Sequence, residues 1–426
     1  MEEVKSGATN KTDLNSAVIV LGAGAAGLWF SWRAARAGAQ VLLLEKTPRT
    51  GTKILASGGT RCNVTTSLDH PQAASLFGER GSRFLKHAFE VLPPSAVREA
   101  FAELGVPTEE APLDKVFPRS GRARDVRDAL EVAARAAGVR IICNAPGLAI
   151  QRKENNWFVE TPLGTGRCQH LVLAVGGRSF PTTGTTGEGY GWLKELGLEL
   201  TPTTPALVPL TSDESWIQQL KGIAWQNGEA RLENRDGRVL GRRRRPLLFT
   251  HQGLSGPAAM DLSGQVVQGN PEGLRLLLDF FPQETRQETR ARLIEGAGRK
   301  GSPRVSRCLV EPLPRRLLSA VAHAAELSGP DPRALALDRA ARHRLVETLH
   351  GLPMKLSGTR GFEAAEVTRG GLALHQVDPF SMRVNRLSGL VVLGELLDLD
   401  GPIGGLNFQV AFACAEVAAL ALPQPD

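Results

Sequence analysis

The chain is poor in cysteine and aromatic residues, and it has no long apolar run. Its five cysteines, Cys62, Cys143, Cys168, Cys308 and Cys414, form no Cys-x-x-Cys pair. This spacing argues against a zinc site, an iron–sulfur cluster and a disulfide framework. No apolar stretch approaches the roughly 20 residues that span a bilayer, so we expect no membrane association. The first 16 residues are polar and lack the apolar core of a signal peptide, which predicts a flexible tail over residues 1–15 and a cytoplasmic protein.

The charge balance is basic. The formal net charge is +7 and the sequence pI is about 9.4, which would attract polyanions weakly. The excess is spread over many arginines, and aromatic residues make up only 5% of the chain, so platforms for stacking nucleobases are scarce. We therefore expect a small-molecule substrate and do not expect a nucleic acid partner. The sequence leaves the oligomeric state open.

Residues 18–45 carry a dinucleotide-binding pattern. A short apolar strand precedes the Gly-x-Gly-x-x-Gly turn formed by Gly22, Gly24 and Gly27, and an amphipathic helix and a second apolar strand follow it. The three glycines permit a tight bend, a close approach of the backbone to a pyrophosphate, and close packing of the helix on the strand. The helix N-terminus then faces the phosphates, because its unpaired N–H groups favour an anion.

Glu45 ends the second strand, where an acidic side chain accepts hydrogen bonds from ribose hydroxyls. A carboxylate there disfavours the 2′-phosphate of NADP, so the pattern predicts FAD or NAD. A glycine-rich turn can also arise in an ordinary strand-to-helix connection. The flanking strands, the helix and the acid at the expected distance favour the dinucleotide site.

A second glycine-rich segment, residues 51–65, is long for a connection inside a compact domain. Its backbone N–H groups and its hydroxyl and cationic side chains could surround a phosphate or a flavin edge. The candidates are Lys53, Ser57, Gly58, Gly59, Arg61, Cys62 and Asn63. A flexible surface loop is the alternative, but the position after Glu45 favours cofactor contact.

A third glycine-rich segment lies near the C-terminus. Gly394 and Glu395 follow an apolar strand, where a backbone group and a carboxylate could meet a ribityl chain. Gly404, Gly405 and Asn407 open a final helix. A helix N-terminus aimed at the N1/C2=O edge of an isoalloxazine would stabilise the anionic reduced ring. An ordinary turn before a helix is the alternative.

Two features of the middle of the chain have competing interpretations. His251 lies on a loop and could donate a proton to a substrate carbonyl or flavin adduct, or only hydrogen-bond its own loop together. The run Arg242 to Arg245 could bind RNA or a phosphate-bearing substrate. A strand edge protected by charge against aggregation is the favoured interpretation of that run. No second glycine fingerprint has a strand before it and an acid after it, so a separate NAD(P)H domain is not predicted.

Apolar periodicity predicts the order of secondary structure. Helices are expected over residues 83–104 and 122–137, and short strands over 206–250. A helical region is expected over 282–350 and a last helix from about Leu406. A strand, a glycine-rich turn and a helix so late in the chain predict that the nucleotide-binding domain is discontinuous.

Seven motifs, in order, resemble those of the bacterial bile-acid-reductase-like (BaiN-type) NAD(P)/FAD-dependent oxidoreductases, some of which carry the label aminoacetone-oxidase-like. The motifs are VIVLGAGAAG, GTKILASGGTRCNVT, VFPRSGRARDV, LVLAVGGRSFPTTGTTGEGYG, FTHQGLSGPAAMDLS, AEVTRGGL and GELLDLDGPIGGLNFQVAF, and they lie between residues 17 and 422. The chain departs from the family pattern at Thr60, Leu406 and Val410, so the family's substrates are not carried over.

The resemblance implies an α/β fold with non-covalently bound FAD. It places a discontinuous Rossmann-like FAD-binding domain at 16–200 and 366–422, an inserted small β-barrel at 201–281 and 350–365, and a helical insert domain at 282–349. The FAD contacts it implies are Gly22, Gly24, Gly27, Glu45, Lys53, Gly59, Arg61, Cys62, Asn63, Ala174, Gly176, Gly394, Glu395, Gly405 and Asn407. The full set of candidate cofactor contacts adds Ala25, Ala26, Lys46, Ser57, Gly58, Gly177 and Gly404.

Our leading hypothesis is an FAD-dependent oxidoreductase that transfers hydride between NAD(P)H, or an organic donor, and a small or medium organic substrate. The flavin supplies the redox chemistry, and His251 is the candidate catalytic residue. Two alternatives stay open: a flavin-dependent RNA-modifying or RNA-associated protein, and a non-catalytic FAD-binding module. The sequence names neither the substrate nor the physiological electron donor.

Overall fold

The computed structural model describes residues 13–269 and 271–423, which form two compact units. Unit 1 comprises the chain up to Thr203 and from Val367 onward, and unit 2 comprises Thr204–Glu366. Unit 2 contains the segments predicted as barrel-like and as helical, and their division into two domains stays a prediction. Of the predicted flexible segment 1–15, residues 1–12 lie outside the described part, and Leu14 is buried.

The elements are numbered in chain order. The strands are β1 Val18–Leu21, β2 Val41–Leu44, β3 Thr65–Thr66, β4 Thr108–Ala111, β5 Lys115–Pro118, β6 Arg140–Ile142, β7 Ala149–Lys153, β8 Asn156–Thr161, β9 Gly164–Cys168, β10 His170–Leu173, β11 Leu200–Ala206, β12 Leu210–Thr211, β13 Ala224–Trp225, β14 Glu229–Asn234, β15 Val239–Arg244, β16 Leu247–Phe249, β17 Gly253–Ser255, β18 Leu274–Asp279, β19 Leu352–Lys355, β20 Gly358–Thr359, β21 Val367–Leu372 and β22 Leu390–Val392. The helices are α1 Ala25–Arg36, α2 Thr52–Ala56, α3 His70–Ser75, α4 Gly78–Val91, α5 Pro94–Glu103, α6 Ala123–Ala136, α7 Glu188–Glu195, α8 Ser215–Gln219, α9 Pro257–Gln268, α10 Arg286–Gly298, α11 Arg315–Ala324, α12 Arg339–Leu349 and α13 Leu406–Leu420.

A five-stranded parallel sheet forms the centre of unit 1, in the order β22-β10-β1-β2-β6. Strands β1 (VIVL), β2 (VLLL) and β22 (LVV) are apolar and buried at every position. Continuous apolar runs of this kind are typical of parallel strands that are covered on both faces. The sheet confirms the predicted α/β class with a Rossmann-like core.

Helices α1 and α13 pack against each other and join the two ends of the chain in unit 1. Glu416 of α13 is only 4% exposed. Its carboxylate accepts hydrogen bonds from Trp29 Nε1 at 2.8 Å and from the guanidinium of Arg33 at 2.7 Å, and both donors belong to α1. Because a buried carboxylate is costly unless it is paired, these bonds fix the position of α13 against α1.

The helical segment predicted over residues 83–104 is divided into two helices. Helix α4 ends at Val91, and α5 begins at Pro94 directly after Pro93. Proline has no backbone N–H and clashes with the preceding turn, but it is tolerated in the first turn of a helix. A single continuous helix over this segment is therefore wrong, whereas α6 lies where a helix was predicted.

Unit 2 combines two sheets with helices α8 to α12. The sheet orders are β13-β16-β17-β12-β20 and β15-β14-β18-β19. Helices α10, α11 and α12 confirm the helical region predicted over residues 282–350. Among the described residues of the whole chain, no helix has both the length and the apolarity that crossing a bilayer requires.

Candidate cofactor site

The turn between β1 and α1 is built around three glycines with different surroundings. Gly22 has φ of 98°, and a Cβ there would lie 2.5 Å from the carbonyl oxygen of Ala174. A Cβ on Gly27 would lie 1.9 Å from the carbonyl oxygen of Gly22. A Cβ on Gly24 would meet no heavy atom within 4 Å. Gly22 and Gly27 are therefore required by packing, whereas Gly24 leaves open space beside the N-terminus of α1.

The N-terminus of α1 offers donors to an anion. The backbone N–H groups of Ala25 and Ala26 make no hydrogen bond with the part of the chain that the structure describes. No acidic side chain lies in the first turn of the helix. Unpaired N–H groups and the helix dipole attract negative charge. Together with the open space at Gly24, this turn fits the pyrophosphate of a dinucleotide.

Glu45, directly after β2, connects that strand to the glycine turn. One carboxylate oxygen accepts from the N–H of Ala23 at 2.8 Å. The other accepts from the N–H of Thr47 at 2.9 Å and from its hydroxyl at 2.7 Å. A carboxylate has about four acceptor sites, so Glu45 keeps capacity for a ribose hydroxyl. That ribose contact stays a prediction.

The loop after α2 contains several residues with left-handed backbone conformations. The φ angles are 55° at Gly58, 66° at Gly59, 70° at Thr60 and 59° at Cys62. Positive φ is uncommon outside glycine, and a β-branched residue such as Thr60 is an outlier there. Strained conformations persist where the surrounding structure imposes them, and they cluster at binding sites. A Cβ on Gly59 would meet no heavy atom within 4 Å, so the backbone is open at that point.

The three side chains that end this loop have different surroundings. The guanidinium of Arg61 lies 4.1 Å from the centre of the Phe117 ring and forms no hydrogen bond or ion pair with the described residues. Cys62 is fully buried, and burial raises the pKa of its thiol to about 12. The Asn63 Oδ1 atom accepts from the N–H of Val116 at 2.9 Å. Arg61 can therefore bind a ligand anion, whereas Cys62 is an unreactive thiol and Asn63 fixes the loop to β5.

Lys53, Ser179 and Glu395 form a polar cluster from three distant parts of the sequence. The Lys53 Nζ atom lies 2.6 Å from the Glu395 Oε2 atom and 2.7 Å from the Ser179 Oγ atom. Ser179 also donates to the Glu395 Oε1 atom. That oxygen accepts from the N–H of Thr368 at 2.8 Å as well. The charges of Lys53 and Glu395 therefore neutralise each other within unit 1.

The backbone approaches this cluster closely at Gly177. A Cβ there would lie 2.4 Å from the Thr368 Oγ1 atom and 2.7 Å from the Glu395 Oε1 atom. Gly176 has φ of 74°, which continues the tight path of the chain. Tyr190 donates to the carbonyl oxygen of Glu395 at 2.8 Å, and burial raises the pKa of its hydroxyl above the usual range. The Gly176–Gly177 pair thus lets the chain fit around the carboxylate.

Lys46, another candidate contact, is engaged with the segment that opens α7. It forms an ion pair with Glu188 and donates to the Thr186 hydroxyl at 2.8 Å. Burial raises the pKa of Glu188, but hydrogen bonds from Lys46 and Thr186 outweigh it, so the pKa is lowered. Lys46 therefore holds the end of β2 to α7.

The turn before α13 is closely packed and is held by a side chain of its own helix. Gly405 has φ of 82°, and a Cβ there would lie 2.0 Å from the carbonyl oxygen of Thr65. A Cβ on Gly404 would meet nothing closer than 3.8 Å. The Asn407 side chain accepts from the N–H of Gly401 at 2.9 Å and donates to its carbonyl at 3.0 Å. Asn407 thus closes the turn, and Gly404 is buried within it.

Unit 1 brings candidates from both ends of the chain together. A Cβ on Gly394 would lie 3.5 Å from the Cβ of Ala26 in the first glycine turn. Lys53 and Glu395 are 342 residues apart in sequence and form an ion pair. His251 lies elsewhere, in an exposed turn of unit 2 between β16 and β17. Its catalytic role stays a prediction.

Sequence reasoning missed several polar residues of unit 1. Ser179 and Thr368 belong to the cluster described above, and Arg369 binds both carboxylate oxygens of Asp400 at 3.0 and 2.8 Å. Burial raises the pKa of Asp400, although Arg369 opposes the change. These residues stand beside glycines in the motifs GGRS, VTRGG and LDLDG. That position was the available signal.

Two curated proteins and one solved structure resemble the chain over nearly its whole length. It is 29% identical over 401 residues to the ribosomal RNA dihydrouridine synthase of Escherichia coli, covering 94% of this chain and 96% of that protein. It is 27% identical over 406 residues to the 3-dehydro-bile acid delta(4,6)-reductase of Clostridium scindens, covering 94% and 98%. The 3-ketosteroid delta1-dehydrogenase from Sterolibacterium denitrificans superposes with a TM-score of 0.51 at 14% identity, covering 96% of this chain and 99% of that chain, which is a likeness of fold alone.

These findings confirm the predicted resemblance to bile-acid-reductase-like proteins. They support an FAD-binding oxidoreductase. The name of the Escherichia coli relative includes ribosomal RNA, which weakly contradicts the expectation of no nucleic acid partner. The model of the family described as HI0933-like protein Rossmann domain matches residues 16–421. The chain therefore belongs to the HI0933-like family of Rossmann-domain proteins.

Proposed function

We propose that the protein is an FAD-dependent reductase that delivers hydride to a carbon–carbon double bond conjugated to a carbonyl group. The observation that carries this proposal is the open glycine turn at Gly24, with unpaired donors on Ala25 and Ala26, in a chain whose full-length relatives bear names of this chemistry. Dihydrouridine differs from uridine by two hydrogens across a double bond conjugated to a ring carbonyl. A double bond at position 4 of a 3-oxo steroid is conjugated to a carbonyl in the same way.

The residues of unit 1 would hold FAD in three places. The N-terminus of α1 would bind the pyrophosphate, and Glu45 would accept from the adenosine ribose. Gly404 and the N-terminus of α13 would lie against the flavin, where the positive end of the helix dipole favours an electron-rich ring edge. The bound flavin supplies hydride transfer. The protein supplies orientation and charge.

Reduction of a conjugated double bond also requires a proton on the carbon that does not receive hydride. His251 is exposed in the turn between β16 and β17, and an imidazole can carry a proton that it donates. We keep His251 as the candidate proton donor. His251→Gln would then lower turnover, while flavin reduction by NAD(P)H would keep its rate.

Uridine in RNA is the substrate that we propose. Two relatives that match 94% and 95% of this chain are named ribosomal RNA dihydrouridine synthases. Unit 2 also holds most of the excess positive charge: residues 204–366 contain 24 lysines and arginines against 18 aspartates and glutamates. A polyanion is the substrate that this charge favours. A steroid-like enone is the second candidate, supported by the bile acid relative.

The experiment identifies cofactor, donor and substrate in turn. The absorbance spectrum of the purified protein and mass spectrometry of the released cofactor identify FAD. Anaerobic mixing with NADH or NADPH should bleach the flavin absorbance. The reduced protein is then offered protein-free ribosomal RNA or a 3-oxo steroid with double bonds at positions 4 and 6. Dihydrouridine in the digested RNA supports the proposal. Absence of FAD, or reduction of neither substrate, refutes it.

A further inference from the structure

The excess positive charge of this chain is concentrated in one hairpin. Outside residues 204–366 the basic and acidic residues nearly balance, at 27 and 26. Within unit 2, the segment 229–245 contains seven arginines and only three acidic residues. This segment consists of β14, its turn, β15 and Arg245, and we call it the basic hairpin. The charge is therefore a local feature of the surface of unit 2.

The strand register separates the two faces of the hairpin. Strand β15 lies at the edge of the sheet β15-β14-β18-β19. At Gly241 the strand is covered by α9, since a Cβ there would lie 2.5 Å from the Gln265 side chain and 2.7 Å from that of Leu262. Side chains alternate along a strand, so Arg242 and Arg244 lie on the opposite face from Gly241. Both are exposed.

Some of these arginines are already neutralised. Arg231 and Arg275, the latter from β18, share the carboxylate of Glu233 at 2.8 and 3.0 Å. Burial raises the pKa of Glu233, but the hydrogen bonds from Arg275 and Arg231 outweigh it, so the pKa is lowered and the group stays ionised. Arg242 lies 3.2 Å from Glu229. These pairs hold the hairpin together.

Four further arginines have no carboxylate partner. Arg235, Arg238, Arg243 and Arg244 are exposed, and none of them forms an ion pair with an acidic residue in the ranges 13–269 and 271–423. Arg243 donates only to the carbonyl oxygen of Arg242. Their guanidinium groups therefore keep donors for an external anion. Guanidinium binds phosphate oxygens through paired hydrogen bonds, which makes phosphate a matching ligand.

We propose that the basic hairpin binds the phosphate backbone of RNA. The inference rests on the proposed function, in which RNA carries the reducible uridine. Arg235 and Arg238 lie in the connection between β14 and β15, and Arg243 and Arg244 lie at the end of β15, so an extended polyanion that follows the edge strand can contact several of them. Contacts to phosphate position a nucleic acid without reading its sequence, and the uridine would be selected elsewhere.

The test compares two variants that lose the same charge. The hairpin variant carries Arg→Ala at 235, 238, 243 and 244. The control variant carries Ala in place of Lys300, Arg307, Arg315 and Arg339, which are exposed in the helical region of the same unit. Each variant lowers the formal net charge from +7 by four. Equal FAD content and equal melting temperatures show that both variants fold.

The probe is a fluorescein-labelled RNA of mixed sequence, about 30 nucleotides long, titrated at several concentrations of KCl. Each lost phosphate contact on a single strand makes the negative slope of log K against log salt shallower by about 0.7. The slope for the hairpin variant should therefore be shallower by about 3, and its affinity at 0.1 M salt should fall by up to roughly 600-fold. The control variant should lose less than about 5-fold, the effect of one contact.

A hairpin variant that loses no more affinity than the control overturns the inference. Equally tight binding of wild-type protein to phosphatidylglycerol vesicles, with the same loss in the hairpin variant, overturns it in favour of a membrane surface. A third variant with Lys at the same four positions keeps the charge and should keep the salt slope. A variant that aggregates but retains RNA affinity supports the protective role of the edge charges and overturns the inference.

Dihydrouridine formation separates this inference from the proposed function. Loss of RNA binding in the hairpin variant, with no dihydrouridine formed even by wild-type protein, supports the RNA surface and refutes the reductase proposal. Dihydrouridine formed equally by wild-type protein and the hairpin variant, at RNA concentrations below the wild-type Kd, supports the reductase proposal and refutes the RNA surface.

Discussion

The sharpest test of the cofactor site replaces one glycine of the first turn by alanine and compares it with a second. A methyl group at Gly24 would meet no heavy atom within 4 Å, and the backbone there has φ of −81°, which alanine adopts freely. A methyl group at Gly27 would lie 1.9 Å from the carbonyl oxygen of Gly22. The same chemical change should therefore act on ligand binding at Gly24 and on folding at Gly27.

The expected magnitudes differ in the same way. Without FAD, Gly24→Ala should change the free energy of unfolding by less than about 1 kcal/mol, because reduced freedom of the unfolded chain offsets the poorer helix cap. Gly27→Ala should cost about 3 kcal/mol, since backbone atoms must move. With FAD, the methyl group at Gly24 occupies space that the pyrophosphate needs. Overpacking of roughly 1–3 kcal/mol corresponds to about a 5- to 150-fold increase in Kd.

The assay is urea unfolding, monitored by circular dichroism, with and without FAD. At an FAD concentration 100 times the wild-type Kd, the ligand adds about 2.7 kcal/mol to the wild-type stability. For a Gly24→Ala protein with Kd raised about 100-fold, the same concentration adds only about 0.4 kcal/mol. Wild-type FAD affinity in Gly24→Ala would refute the assignment of this turn to the pyrophosphate. Wild-type stability in Gly27→Ala would refute the packing argument.

Three further predictions concern charge and protonation. Glu395→Gln leaves Lys53 without its carboxylate partner. Because both side chains are largely shielded from solvent, the free energy of unfolding measured in urea should fall by roughly 1–3 kcal/mol. A fall below about 0.5 kcal/mol would mean that the pair behaves like a surface ion pair. The pKa of Glu233 is lowered from 4.5, because the hydrogen bonds from two arginines outweigh the effect of burial. The contribution of this group to stability is therefore present above pH 4.5 and is lost as the pH falls through its folded-state pKa. In Glu233→Gln, the free energy of unfolding should therefore decrease less steeply as the pH falls below 4.5. The same pH dependence as in the wild-type protein would contradict a lowered pKa of Glu233. Burial raises the pKa of Cys62 to about 12. A thiol reagent at neutral pH should therefore leave Cys62 unmodified in the native protein and react first with the half-buried Cys143. Rapid labelling of Cys62 would show that its loop opens.

The central sheet could be predicted because its information is local. The segments VIVL, VLLL and LVV are apolar at every position, and only strands covered on both faces commonly show that pattern. The apolar spacing over residues 83–104 predicts one helix, but Pro93 and Pro94 divide the segment into two helices. Periodicity persists across such a break, because both helices pack against one core.

The sequence predicts which segments contribute to the candidate site, and their contacts with a cofactor stay predictions. It does not predict what the side chains of these segments bind within the protein. Lys53, Asn63 and Asn407 were all candidate cofactor contacts, and each one binds another part of the protein. The partner of Lys53 lies 342 residues away, a distance over which single-sequence patterns carry no pairing information. Ser179 was missed for the same reason, since its carboxylate partner lies 216 residues away in sequence, whereas Thr368 lies only 27 residues from Glu395.

The glycine-rich segments share a pattern of contacts. In each of them a polar side chain fixes the loop, as Glu45 does at Ala23 and Asn407 does at Gly401. In the first two segments a glycine also leaves space beside the backbone, at Gly24 and at Gly59. A ligand held by backbone N–H groups depends on loop shape more than on side-chain identity, so a residue such as Thr60 can replace glycine wherever the surrounding contacts sustain its positive φ. A turn that binds an adenine dinucleotide can therefore keep its shape while the side chains elsewhere in the protein change.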